Sequence, residues 1–199
     1  SAVSIDIESY TSAATGASSD GFIPTSIPDD TTSITTQHLL DMPLLSELDA
    51  ENVPGFYVGF TASYDGWPGA VLHKVVTADD SASAREFKTG TVEATAGHAT
   101  SVLAHSDNTT TWDDVSTVSV RLVNGTLSSS TDAAVIAGAN ALAFAESGEI
   151  IQFVNVAATN SPDDGEYTLS RLLRGRRGTE HGTRKHTLGE TVVLLTQAT

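Results

Sequence analysis

Cysteine is absent from this 199-residue chain, which excludes a disulfide framework, a thiolate zinc site and a cysteine nucleophile together. Long hydrophobic runs are absent too. No apolar stretch approaches the roughly 20 residues that cross a bilayer as a helix, and residues 1–20, a Ser/Thr/Ala tract, lack the basic start and apolar middle of a signal peptide. The expectation is therefore no membrane insertion. Because the chain opens on Ser1 and not Met, it is read as a processed product or a segment of a longer protein. The motifs of nucleophilic hydrolysis and nucleotide binding are missing: no Gly-x-Ser-x-Gly elbow, no glycine loop to cradle phosphate, no His-Glu-x-x-His pair. Basic residues are scarce, ten against 25 acidic, giving a formal net charge of −15. Such an acidic body repels nucleic acid and anionic membrane surfaces.

What is present favours strands. Apolar residues seldom recur at the 3.6-residue period, whereas alternation is frequent. Val3, Ile5 and Ile7 alternate with polar neighbours, the period-two mark of a half-buried strand. Residues 9–36 form a polar tract broken by Pro24 and Pro28, read as an extended arm or linker too polar to build a core. Residues 38–48 are leucine-rich, but Pro43 stops any helix there from growing. Residues 56–64 alternate again. Asp65-Gly66 and Trp67-Pro68-Gly69 then reverse the chain before the apolar run 70–76, which predicts a hairpin between the two runs. Weaker strand candidates lie at 86–95 and 100–104. Val118, Val120 and Leu122 mark a strand closed by Asn124-Gly125, with residues 126–130 expected to pair back against it. Residues 132–138 can make a turn or two of helix capped by Asp132. Further strands are predicted at 140–144, 149–156, 167–173 and 191–196. The fold expected is all-β, a sandwich or barrel of about eight to ten strands with an extended N-terminal arm. Residues 1–50 are read as strand, linker and leucine-rich segment, and 51–199 as the β domain.

The candidate chemistry is sparse. Of the six histidines only His181 and His186 are close in sequence, and a spacing of five sends them to opposite faces of a strand or helix. Neighbouring acids occur at Asp29/Asp30, Asp79/Asp80, Asp113/Asp114 and Asp163/Asp164 without the spacing of a calcium loop, so solvated turns are expected. No metal and no cofactor is expected. Six of the ten basic residues fall within 171–185. This run lacks interleaved aromatics and sits in an acidic chain, so it is read as pairing with carboxylates of the same chain or of a neighbouring subunit, not with nucleic acid. Gly175 and Gly178 suggest a tight reversal after a strand, gathering Arg174, Arg176, Arg177 and Glu180 into one charged corner. Trp67 and Trp112 are the candidates for stacking on a sugar ring, the basis of an alternative reading as a carbohydrate-binding module, with or without glycan hydrolysis.

Three stretches resemble a known family: Gly148-Glu-Ile-Ile-Gln-Phe153, then Tyr167 through Leu172-Leu-Arg-Gly-Arg-Arg-Gly-Thr-Glu180, and finally His186 through Leu195. They are similar to the C-terminal part of the large tail-tip, or host-specificity, proteins of siphophages and of gene transfer agents of alphaproteobacteria. Asp41-Met-Pro-Leu-Leu45 and Gly66-Trp-Pro-Gly-Ala70 fit the same family. The resemblance implies a non-enzymatic virion component at the distal tail tip. It further implies a homotrimer adjoining the hub and the end of the tail tube, contributing to tail closure and to contact with a host receptor or surface glycan. It carries no catalytic residues into this chain.

Overall fold

The structure is a computed structural model that describes residues 4–8, 35–43, 45, 56–62, 67–75, 85–158 and 165–195. Most of the polar tract 9–36, the Asp65-Gly66 turn, and the acid pairs Asp29/Asp30, Asp79/Asp80 and Asp163/Asp164 lie outside the described residues. The fold is all-β. Its strands are β1 (Ser4–Glu8), β2 (Thr35–Leu40), β3 (Tyr57–Ala62), β4 (Ala70–Val75), β5 (Arg85–Gly90), β6 (Ala96–Ala99), β7 (Val118–Asn124), β8 (Ala141–Phe144), β9 (Ile150–Ala158), β10 (Glu166–Leu173) and β11 (Thr191–Leu195). One short helix, α1 (Asp132–Ile136), precedes β8.

The chain divides into two compact units. The first combines Ser1–Thr36 with Ala62–Glu93 and holds the antiparallel sheet β1-β4-β5, with an irregularity in the β4–β5 register between Leu72 and His73. The second combines Gln37–Thr61 with Ala94–Thr199. Its centre is a closed barrel in the order β10-β7-β6-β11-β8-β9, every pair antiparallel.

Alternation decides which residues fill the barrel. Val118, Val120 and Leu122 of β7 point inward with Leu142, Phe144, Ile151, Phe153, Leu169, Leu172 and Val192, forming one continuous core. The residues between them, Ala141, Ala143, Ile150 and Val193, face the other way and build a second apolar cluster outside the barrel with Ala96, Leu40 and Met42. Tyr57 packs on that cluster, and its hydroxyl accepts the Leu45 N–H at 2.7 Å. β3 is joined to the barrel's margin by the Ala94 N–H, which donates to the Phe60 carbonyl at 2.7 Å. The His38 ring bonds the Thr61 hydroxyl at 3.0 Å. A small-residue requirement sits where β6 meets β7: a Cβ on Gly97 would lie 2.0 Å from the Arg121 carbonyl oxygen, at a shift of register between the two strands.

Four local expectations are corrected. The 56–64 and 70–76 runs do form strands, but they do not pair: β3 lies beside β2, and β4 lies between β1 and β5. Burial against the outer barrel cluster outweighs the local turn signal for β3. Residues 126–130 form no strand, because both edges of β7 are taken by β6 and β10; Leu127 is buried in the core instead. The helix cap is Thr131, not Asp132: Thr131 is extended (φ −90°, ψ 154°) and its hydroxyl accepts the Ala134 N–H, leaving Asp132 in the first turn. The weak 100–104 candidate is loop, and the strand there is β6, just upstream.

Candidate functional site

β10 ends at Leu173, and the chain reverses through Arg174 and Gly175 into two 3-10 turns, Arg176–Gly178 and Glu180–Gly182. Gly175 is left-handed (φ 56°), and a Cβ there would meet the Glu180 Cα at 2.9 Å. Arg177 is also left-handed (φ 58°), a conformation costly for a side chain with a Cβ, so the corner is over-determined by its surroundings.

Arg174 turns inward. Its side chain is 0 % exposed, and the guanidinium grips Glu149 with two parallel bonds, Nε to Oε1 at 2.8 Å and Nη2 to Oε2 at 2.9 Å. Nη1 donates to the Ala104 carbonyl at 2.8 Å and lies 3.5 Å from the Asp113 carboxylate. Glu149, likewise 0 % exposed, also accepts the Gly175 N–H at 2.8 Å. From the other side the His186 Nε2 bonds Glu149 Oε2. The His186 Nδ1 bonds Glu190 Oε2 at 2.8 Å, and Glu190 Oε1 accepts the Ser147 N–H. The His186 side chain is 2 % exposed and that of Glu190 0 %. The edge of Phe144 packs on the imidazole at 4.7 Å.

With His186 protonated, charges alternate along Arg174, Glu149, His186 and Glu190. Burial pushes the Glu149 carboxyl up, but the hydrogen bonds from His186 and Arg174 outweigh it and hold the group below the ordinary carboxylate value. Burial raises Glu190 as well, and the bonds from His186 and Ser147 reverse that. For His186 burial acts downward, and the two carboxylates more than offset it, so its proton is held above the usual imidazole range. Asp113 is also raised by burial and lowered further by the N–H groups of Ser116 and Val115 and by Arg174.

Ser147, His186 and Glu190 do not have the geometry of a hydrolytic triad. The three are adjacent, but the Ser147 hydroxyl and the Glu190 carboxylate both approach Nδ1, at 3.4 Å and 2.8 Å, and Nε2 is occupied by Glu149. A hydrolytic triad needs serine and acid on opposite ring nitrogens.

The other residues of the arginine-glycine string diverge. Arg176 Nε donates to Gln152 Oε1 at 2.7 Å, and the Gln152 amide donates to the carbonyls of Val135 (2.6 Å) and Ala139 (3.0 Å), tying the corner to α1. Arg177 reaches the Leu45 carbonyl at 2.7 Å. Thr179 is buried, accepting the Ile150 N–H at 2.9 Å and donating to the Arg176 carbonyl at 2.7 Å. Gly178 and Glu180 lie on the surface. Upstream, Arg171 (φ 56°) interrupts the β10–β9 ladder, where Ser170 faces Asn155 and Leu172 faces Phe153. It forms a two-bonded pair with Asp132 (3.0 and 2.7 Å) and bonds Asp114 at 2.6 Å. Its guanidinium covers the Trp112 ring at 4.7 Å from the centroid. Trp112, half-buried, leans on Val135, Val154 and Leu173. Trp67 belongs to the other unit, where its Nε1 donates to the Thr35 hydroxyl at 3.0 Å.

Sequence reasoning found Arg174 but not its partners. Glu149 stands 25 residues away, and only folding of the barrel brings the two together. A fainter signal existed for His186 and Glu190, which are four residues apart. His181, by contrast, is exposed, its Nε2 lying 3.6 Å from the Cβ position of Gly148.

The family described as Rcc01698-like, C-terminal, matches residues 94–193. That span takes in all of β6 to β10, most of β11, and Glu149, Arg174, His186 and Glu190. No curated protein matches the chain.

Proposed function

Since the chain belongs to the Rcc01698-like, C-terminal family, we propose that it is a structural component of a tailed particle, the C-terminal β-domain of a tail-tip protein, with no catalytic activity of its own. The observation that carries this reading is the family match, which spans the barrel and its buried ionic corner; the family is associated with gene transfer agents. The closed barrel supports it physically. A closed sheet leaves no unpaired strand edge to template aggregation when many copies are held close together. The domain sits at the distal end of the tail as a homotrimer, adjoins the hub and the end of the tube, contributes to closing the tail, and faces the host surface, where it meets a receptor or glycan.

The test is localisation on particles. Gold-labelled antibody against residues 94–193 is expected to decorate the tail end away from the head, and crosslinking of the intact tail protein should give a trimer. Label confined to the head, or absent from purified particles, overturns the assignment.

A further inference from the structure

Glu149, Arg174, His186 and Glu190 reach one mouth of the barrel from four places: the entry to β9, the exit of β10, the segment after the second 3-10 turn, and the residue before β11. Apart from Arg184, which pairs with Asp107 at 2.7 Å, residues 184–188 are held there by one side chain. Arg184, Lys185, Thr187 and Leu188 are exposed, Leu188 at 68 %, and His186 alone is driven inward. Backbone bonds mark the ends of this segment: Lys185 N–H to the Gly182 carbonyl at 3.0 Å, and Gly189 N–H to the Ala99 carbonyl at 2.9 Å. We propose that the cluster is a proton-operated latch, in which loss of one proton from the His186 ring frees residues 184–188 from the barrel mouth while the barrel itself stays closed.

The hydrogen-bond inventory forces the outcome. Both ring nitrogens face carboxylate oxygens, so both must donate, which only the imidazolium can do. A neutral ring has one N–H, and one carboxylate must then confront a lone pair. Glu149 keeps three donors without His186, namely Arg174 Nε, Arg174 Nη2 and the Gly175 N–H. Glu190 keeps only Ser147, through its N–H and its hydroxyl. The remaining proton therefore stays on Nδ1, toward Glu190, and Nε2 is repelled from Glu149.

No neighbouring group replaces the lost charge. Arg174 is saturated by Glu149, the Ala104 carbonyl and, on its far side, Asp113 from the loop before β7. From β8 comes only the uncharged edge of Phe144, and from the following turn the Ser147 hydroxyl and Glu146, whose carboxylate is engaged by Thr191. His105 of the loop contacts Thr183 and pairs with Asp107, which also holds Arg184. His181 lies beside Gly148, and Lys185 is exposed. The charged groups touching His186 are both carboxylates. Its proton is held above the ordinary imidazole value, so it is lost only as pH rises beyond that value. The latch is independent of the tail assignment, since it rests on this cluster alone.

Arg184 and Lys185 make the opening measurable with trypsin. Cleavage after Lys185 in the intact chain, followed by mass spectrometry and divided by cleavage of a linear peptide spanning 180–190, is expected to rise about tenfold or more between pH 6.5 and 9.5. Cleavage after Arg177 should not change in parallel. Nitrogen-detected NMR of the same protein should show His186 passing from a doubly protonated ring to the Nδ1–H form over that interval. His186→Gln, which does not titrate, should abolish the pH step. A cleavage ratio flat with pH overturns the proposal. So does a wild-type His186 that is already neutral below pH 6.5 or that keeps its proton on Nε2, and this holds even if the variant fails to fold.

Discussion

Arg174 and Glu149 are both fully shielded from water, and the value of such a pair lies in what breaking it leaves behind. Glu149→Ala strands a buried guanidinium and is expected to cost about 3–5 kcal/mol in chemical denaturation. Removing both partners, as Arg174→Met with Glu149→Leu, should cost clearly less than the two single losses together, and a double-mutant cycle measures the difference. The carboxylates also set the acid limb of stability. Glu149 and Glu190 are held below their ordinary value of 4.5, so the unfolded chain binds more protons than the folded one as pH falls. Their contribution is complete above about pH 4.5 and is lost as pH drops through the folded values. Urea midpoints measured from pH 7 to 3 should decline over that window, and less so in the Glu149/Arg174 double variant. A different residue-scale test concerns Trp112. Arg171→Ala uncovers the ring, and in a Trp67→Phe background the fluorescence should shift to the red. If Trp112 instead served as a sugar platform, that variant would gain affinity on a glycan array.

At the scale of elements, most strands were readable, β2 and β6 were not, and neither were most strand partners. Alternation in 118–122 and the continuous apolar runs near 150 and 191 depend only on each strand's own sequence, and β7, β9 and β11 stand where those patterns put them. Pairing depends on what competes for each edge. The Asn124-Gly125 turn is present, with Gly125 left-handed at φ 86°, yet it delivers the chain to no hairpin, because β6 and β10 already flank β7. The ionic corner was half legible for the same reason: the arginines and glycines are consecutive, whereas Glu149, Asp113 and Gln152 join them only through barrel closure. Two variants probe the elements directly. Thr131→Ala removes the only side-chain cap of α1 and should cost about 1 kcal/mol. Gly97→Ala drives a methyl into the Arg121 carbonyl and should prevent β6 and β7 from keeping their register, seen as loss of soluble folded protein.

For the whole molecule, the boundary of the family match and the boundary of the folded unit differ. Residues 94–193 contain the barrel strands, but the apolar outer face made by Ala96, Ala141, Ala143, Ile150 and Val193 is covered by Leu40, Met42 and Tyr57 from upstream. A protein beginning at residue 94 is therefore expected to expose that face and aggregate. Light scattering should show it restored to a discrete species when residues 37–61 are supplied on a short linker.

The bonds joining Phe60 to Ala94 and His38 to Thr61 bring together the points where the chain departs from the barrel unit and where it returns. Such adjacency works as a socket: no described residue between Ala62 and Glu93 takes part in a barrel pairing, so a replacement for that stretch would have to keep only the partnership of β4 with β1.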